Sequence, residues 1–264
     1  MREPAKSLQV ALLSDIHGNL VALEAVLADI AQQGGVDAYW VLGDLVALGP
    51  DPVGVLERLT ALPNVTFTRG NTDRYVCTGV RPHPNLTDTQ NDPSLLPRLI
   101  EVNGQFAWTQ GAVIATGWFD WLDVLPVEFR ATLPDGTRFL GVHAAPGTDD
   151  GWGIHPDLTD TELRSLLADC DVDLICVGHT HEPLERRLDE YHVVNLGSVS
   201  NPLPPDLRAS YVLLQADVSG FQIAHRRVEY DRELVIHQLE KMRHPGVQFL
   251  TRHFRGLILP HRMR

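Results

Sequence analysis

Cysteine is scarce in this chain of 264 residues, with Cys77, Cys170 and Cys176 its only thiols. An odd set of three does not make a disulfide framework, and it suits a reducing compartment. Positive charge is also short: 22 Lys and Arg stand against 34 Asp and Glu, a formal net charge of -12. That balance argues against a long nucleic acid as partner, because gripping a phosphate backbone takes clustered Lys and Arg. Small phosphorylated substrates stay open, since a bound metal makes one pocket locally positive. No apolar run approaches the length that spans a bilayer, and Met1 to Ser7 lacks the apolar core of a signal peptide. A cytoplasmic protein with no membrane partner is expected.

What remains is ordinary globular material, 44% hydrophobic and 21% charged, long enough for one large domain or a domain with an insertion. Leu8 to Ser14 reads as a buried strand. Leu20, Leu23, Leu27 and Ile30 recur at three- and four-residue spacing, which predicts an amphipathic helix closed by Gly34-Gly35. Ala38 to Leu42 is a second strand, Pro52 to Leu62 a second helix and Val65 to Thr68 a third strand. This alternation implies right-handed crossovers and a largely parallel sheet, with ligands at its carboxyl edge.

The pattern breaks at Val76 to Pro97, where prolines among Asn, Asp and Thr predict a loop or lid. Leu95 to Leu125 reads as helical in pieces, with Phe106, Trp108, Trp118, Phe119 and Trp121 suited to packing against the main body. Val127 to Leu133 and Thr137 to Val142 flank the hairpin signal Pro134-Asp135-Gly136. Asp160 to Leu167 is a helix and Val172 to Val177 a strand. Further strands follow at Leu184 to Leu188, His192 to Asn195, Ser210 to Gln215 and Phe221 to Val228, then a helix from Asp231 to Met242. The second half is antiparallel-rich, which suggests two sheets face to face with helices outside.

Five polar fragments end the apolar runs: Asp15-Ile16-His17, Gly43-Asp44, Gly70-Asn71-Thr72-Asp73, Gly141-Val142-His143 and Gly178-His179-Thr180-His181. In extended chain Asp15 and His17 point the same way. Any one fragment is a common turn or cap. Five in this order, all at strand ends, mark a metal-binding edge, and the glycine that opens four of them lets backbone approach a crowded centre.

From about Leu8 to Tyr230 the chain resembles the calcineurin-like metallophosphoesterases, and within them the small bacterial phosphoesterases, some of which hydrolyse diesters or diadenosine tetraphosphate. Asn195-Leu196-Gly197-Ser198 resembles a turn of that subgroup, with Leu196 in place of proline. The resemblance implies an α/β fold, a four-layer α/β/β/α sandwich of two mixed sheets flanked by helices. It implies one metallophosphoesterase domain over 1–264, with a helical and loop insertion at about 74–126 that could form a lid. It further implies two metals, one held by Asp15, His17, Asp44 and His181, the other by Asp44, Asn71, His143 and His179, with Asp44 bridging. Asp44, Asn71 and His143 would form the catalytic centre. Imidazole donors favour Mn, Fe, Zn, Co or Ni over Ca, and Mn is the first expectation. Two such cations about 3.5–4 Å apart can deprotonate a bridging water and steady an in-line displacement at phosphorus.

There is one departure from the family. Its phosphomonoesterases carry His after the Asn, where this chain has Thr72, a poor general acid. The expected substrate is therefore one whose leaving group is already stable as an anion: a small phosphodiester or a phosphoanhydride such as a dinucleoside polyphosphate. Substrate contacts are expected of Arg69, Arg74, Thr72, Trp152 and His155, and Asp73 would orient a ligand. His83 or His155 could supply the missing acid from a loop. The histidines at 192, 225, 237, 244, 253 and 261 stand in no motif. The alternatives are a phosphomonoesterase or protein phosphatase of the same fold, or a non-catalytic scaffold like the retromer subunit that resembles this family. The aromatic insertion offers a face for a homo-oligomer.

Overall fold

The computed structural model describes residues 7–257; the stretch read for a targeting signal, up to Lys6, and His261 lie outside the described residues. Two five-stranded sheets form its centre. In the first, β1 (Leu8–Leu13) pairs in parallel with β2 (Ala38–Leu42), and β2 with β3 (Val65–Thr68). On the other side of β1 run β9 (Ala209–Asp217) and β10 (Gly220–Val228), both antiparallel to their neighbours. The second sheet runs β4 (Glu128–Thr132), β5 (Arg138–Val142), β6 (Leu174–Val177), β8 (His192–Asn195) and β7 (Leu184–Arg187). Both sheets are mixed. The second is less antiparallel than the sequence suggests, because β5–β6 and β6–β8 pair in parallel.

Strand periodicity explains the layers. Val10 and Leu12 of β1 face the second sheet and meet Phe139, Leu174, Val194 and Leu214 in the inter-sheet core. Ala11 and Leu13 face outward, under α1 (Leu20–Gln32) and α2 (Pro52–Thr60). On the far side, Leu140, Val142, Ile175 and Val177 are covered by Leu163 and Leu167 of α7 (Asp160–Leu167). A strand buried on both faces needs apolar residues throughout, hence the unbroken runs in β2, β6 and β1 from Val10 on. Each large side chain so enclosed stabilises by roughly 1.5–3 kcal/mol. Asn19 caps α1 by accepting from the Ala22 N–H, and Asp51 caps α2 through Gly54, ahead of Pro52 in the first turn.

The insertion is more helical than its prolines suggest. A helix α3 (Asn71–Thr78) starts inside the third polar motif, at Asn71 itself, and runs through Val76. A capping box between Asn85 and Asp88 then starts α4 (Leu86–Asn91) within the supposed loop. Next comes one unbroken helix, α5 (Leu96–Ala115), followed by α6 (Phe119–Asp123). Gly104 is tolerated inside α5 because it lies against Pro245, where a side chain would crowd. Phe106 is buried, and Phe67 meets Trp121 edge-on at 5.1 Å, so these aromatics pack as core. After α8 (Arg232–Lys241) a further helix, α9 (Val247–Phe254), buries Leu250 and Phe254 against Val235 and Leu239. Its 247, 250 and 254 spacing was legible in sequence but lies beyond the last expected element. No described helix is long and apolar enough to cross a membrane.

Candidate metal centre

The polar motifs follow strands β1, β2, β3, β5 and β6, and the turns after β1 and β2 clasp each other. The Asp15 N–H donates to the Gly43 carbonyl at 3.2 Å, and the N–H groups of Ile16 and His17 both donate to the Asp44 carbonyl at 2.9 Å. This clasp demands unusual backbone. Asp15, His17, Asp44, His179 and His181 all have positive φ, between 49° and 68°. They are five of the nine non-glycine residues so placed among the described residues. Each such residue costs on the order of 1–3 kcal/mol, a strain retained where function requires it. Two glycines show how tight the centre is. A Cβ on Gly178 would overlap Ser14 Oγ and Asp15 Oδ2, and one on Gly70 would overlap the Asp44 carboxylate and N–H.

All seven expected ligand side chains come together. His181 Nε2 stands 3.1 Å from Asp15 Oδ1 and 3.2 Å from His17 Nε2. Asn71 Oδ1 lies 3.1 Å from His143 Nε2 and 3.0 Å from His179 Nδ1. Asp44 Oδ2 joins the two groups, 3.6 Å from His17 Nε2 and 3.4 Å from His143 Nε2. Asp15 also lies between them: Asp15, Asp44 and His143 offer atoms within 4.8 Å of one another, as do Asp15, His17 and His181.

The far side of three imidazoles fixes their tautomers. His143 Nδ1 donates to the Leu42 carbonyl at 2.7 Å, His181 Nδ1 to the Asn201 carbonyl at 2.8 Å and His179 Nε2 to the Gly151 carbonyl at 2.9 Å. A carbonyl only accepts, so in the neutral rings the opposite nitrogens turn lone pairs inward. Asp15 Oδ1 is buried and receives no hydrogen bond, although His181 Nε2 is within reach. Lone pairs so close repel unless a positive charge stands among them. The field has the matching sign: against the penalty of burial, the Asp44 and Asp15 carboxylates hold the His143 pKa up to about 10. His17, where burial dominates, is pushed down to about 4. Carboxylate, amide and imidazole donors without sulfur fit divalent first-row cations.

The remaining expected residues fall elsewhere. The Thr72 N–H donates to Asp44 Oδ1 at 2.9 Å, while its hydroxyl turns to the Val46 carbonyl at 3.3 Å. Asp73 is buried and accepts from the N–H groups of Gly70, Leu45 and Val46, which ties the β2 and β3 turns together. Arg69 and Arg74 both bind the buried carboxylate of Asp149, at 2.7 and 2.9 Å, so their charge is already answered within the protein. Trp152 is 78% exposed on the next loop. His155 is half-buried, its Nδ1 without a hydrogen-bond partner among the described residues, and His83 pairs with Asp88 on the surface at 3.0 Å.

Several partners escaped the sequence. Asp149 and Asp150 brace the loop that supplies the Gly151 carbonyl, through Arg69, Arg74 and Tyr75. An acidic pair before a glycine is a visible signal, but nothing in sequence joins it to arginines 75 to 80 residues away. The Asn195 turn has a clear structural task. Its amide donates to the Gly178 carbonyl at 2.8 Å and Thr180 Oγ1 at 2.9 Å, and Ser198 Oγ donates to the Asp15 carbonyl at 3.0 Å.

A family model described as calcineurin-like phosphoesterase matches residues 8–183. An uncharacterised protein of Methanocaldococcus jannaschii is 31% identical over 252 residues, 89% of this chain and 93% of that protein. The crystal structure of a metallophosphoesterase from Sphaerobacter thermophilus superposes with a TM-score of 0.72 at 26% identity, covering 96% of this chain and all of that one. A symmetrical bis(5'-nucleosyl)-tetraphosphatase of Pectobacterium atrosepticum is 41% identical over 66 residues, a match to 25% of this chain and 24% of that protein.

Proposed function

We propose that this chain, which belongs to the calcineurin-like phosphoesterase family and is a metal-dependent phosphoric ester hydrolase, uses two divalent cations to hydrolyse a small phosphodiester or phosphoanhydride. One ion would be held by Asp15, His17, Asp44 and His181, the other by Asp44, Asn71, His143 and His179. Manganese is the first candidate and Fe, Zn, Co or Ni the alternatives. The observation that carries this is the inward convergence of unpaired donor atoms, Asp15 Oδ1 above all, in a region negative enough to hold a proton on His143. Bound there, the ions would supply an acidified water and Lewis-acid stabilisation of charge on the phosphoryl oxygens.

The protein's own groups limit the chemistry. Hydrolysis forms a bond from water oxygen to phosphorus and breaks the bond to the leaving-group oxygen, which departs with the electron pair. A proton donor beside that oxygen would help an alkoxide to leave. Thr72 gives its hydroxyl to Val46, and the far nitrogens of His143, His179 and His181 are committed to backbone carbonyls. Leaving groups stable as anions are therefore favoured: phosphates, nucleotides and aryl oxides. The short match to a symmetrical bis(5'-nucleosyl)-tetraphosphatase supports phosphoanhydride substrates of that kind. Exposed Trp152, next to the Gly151 that holds His179, would offer its ring to a base or aryl group.

The test is metal content after chelator-free purification, with bis-p-nitrophenyl phosphate turnover in added Mn for the wild type and Asp44→Ala. Two equivalents of metal and a loss of about 10³-fold or more in kcat/KM are expected. Turnover unaffected by Asp44→Ala would overturn the mechanism, and a wild type that binds metal but turns over no ester would point to a scaffold.

A further inference from the structure

Beside the proposed centre lies a cleft that the chemistry above leaves unused. It has a volume of about 200 Å³ and shares His181 with the centre. Five prolines from three chain segments, 156, 183 and 202–205, wall it. Proline has no N–H and little freedom, so such walls are rigid and apolar. Two acids, Glu182 and Asp206, and one cation, Arg227 on β10, supply its charge.

Arg227 is under-compensated. Asp206 already gives both oxygens to Arg208, Oδ1 to Nε at 2.9 Å and Oδ2 to Nη2 at 2.7 Å. Arg227 Nε reaches the same Oδ2 only as a 3.4 Å ion pair. One carboxylate thus serves two guanidiniums, while Arg227 is 28% exposed and forms no shorter contact with an acid among the described residues. A half-buried cation held this loosely can take up a further anion in the cleft. Burial accordingly lowers its pKa despite Asp206.

We propose that this cleft binds the part of the substrate beyond the scissile phosphoryl group as a nucleoside monophosphate unit, its phosphate on Arg227 and its rings against the prolines. This rests on the phosphoesterase function proposed above. The geometry selects the class. A substrate bound at the ions would have this cleft as its neighbour, because His181 belongs to both. The volume lies below the range of about 300–1,000 Å³ typical of larger ligand pockets, which suits one nucleoside and excludes two. With Glu182 and Asp206 also on the wall, a run of phosphates is disfavoured and a single phosphate is matched by the one cation.

The experiment measures adenosine 5'-monophosphate binding to the Mn-loaded protein by calorimetry, alongside bis-p-nitrophenyl phosphate kinetics. Variants are Arg227→Met, Arg227→Lys and Leu203→Trp, the last filling the cleft without touching Arg227. Arg227→Met should weaken nucleotide binding about tenfold or more, with partial rescue in Arg227→Lys and a comparable loss in Leu203→Trp. In Arg227→Met, KM and kcat for the aryl diester, which carries no second anionic group, should stay within about twofold. Unchanged nucleotide affinity in Arg227→Met and Leu203→Trp, or a parallel fall in diester turnover in Arg227→Met, would overturn the cleft assignment. Absent diester turnover in the wild type would instead strike the phosphoesterase reading, while calorimetry would still decide the cleft.

Discussion

His179 and His181 sit two residues apart on one turn, yet the protein holds them by different means. The carbonyl that receives His181 belongs to Asn201, inside a buried network. There Ser200 Oγ donates to Asn201 Oδ1 at 2.9 Å, Asn19 to Ser200 Oγ at 3.1 Å and the Tyr230 hydroxyl to the Ser200 carbonyl at 2.7 Å. The carbonyl that receives His179 belongs to the exposed Gly151. Its loop is fixed by Asp149 and Asp150, strapped to Arg69, Arg74 and Tyr75 around the start of α3. The first arrangement forms with the core. The second is a brace of partly exposed ion pairs, weaker because solvent screens it. Half of the centre is therefore preformed, and the other half depends on the loop staying shut.

The largest effect should come from a change that strikes both halves. Gly178→Ala drives a methyl into Ser14 and Asp15, and should cost about 1–3 kcal/mol of stability and most of the turnover. Thermal unfolding and diester kinetics check it; near-normal activity would mean the halves share no wall at Gly178. Asp149→Asn should separate them, weakening one Mn equivalent about 10–100-fold and sparing the other, as read by titrating the metal-free protein. Equal weakening of both ions would erase the distinction.

A smaller effect concerns acid. Burial presses the Asp150 carboxyl upward, but the Tyr75 hydroxyl, the Gly151 N–H and the Arg74 guanidinium outweigh it and hold its pKa below the usual carboxylate range. The unfolded chain then takes up this proton first as pH falls. The brace contributes fully above about pH 4 and is lost as pH drops through the folded value. Asp150→Asn should flatten that acid loss in urea unfolding of the metal-free protein; an unchanged pH slope would show the brace contributes nothing there.

The smallest effect is a near-cancellation. His179→Gly relieves a left-handed backbone, φ 68°, while it gives up one hydrogen bond to an exposed carbonyl. Metal-free stability should stay within about 1 kcal/mol of wild type. His181→Gly relieves similar strain but strips the buried Asn201 carbonyl of its partner, so it should be less stable than His179→Gly by about 1–2 kcal/mol. The reverse order would put the strap, not the core network, in charge.

The layered sheets were legible because β2 and β6, and β1 from Val10 on, are continuous apolar runs that end in polar motifs. The helices α4 and α9 were less so. Local capping between Asn85 and Asp88 outweighed the surrounding prolines, and the short 247–254 stripe stands beyond α8, after the turn signal Pro245-Gly246, with only two turns of helix to show its period. The seven donors could be named from their fragments, while their neighbours could not. Arg69 and Arg74 read as phosphate clamps because their partners, Asp149 and Asp150, lie far along the chain.

Sequence by itself determined the sheet strands, the order of the polar fragments and the donor types, because period, glycine placement and ligand chemistry are local properties. Tertiary structure decided what no local pattern carries: the left-handed backbone at five of the seven converging residues, the carbonyls that set the tautomers of three of the four imidazoles, and the unequal support of the centre's two halves. Those depend on contacts between segments 20 to 101 residues apart, which no short window of sequence spans.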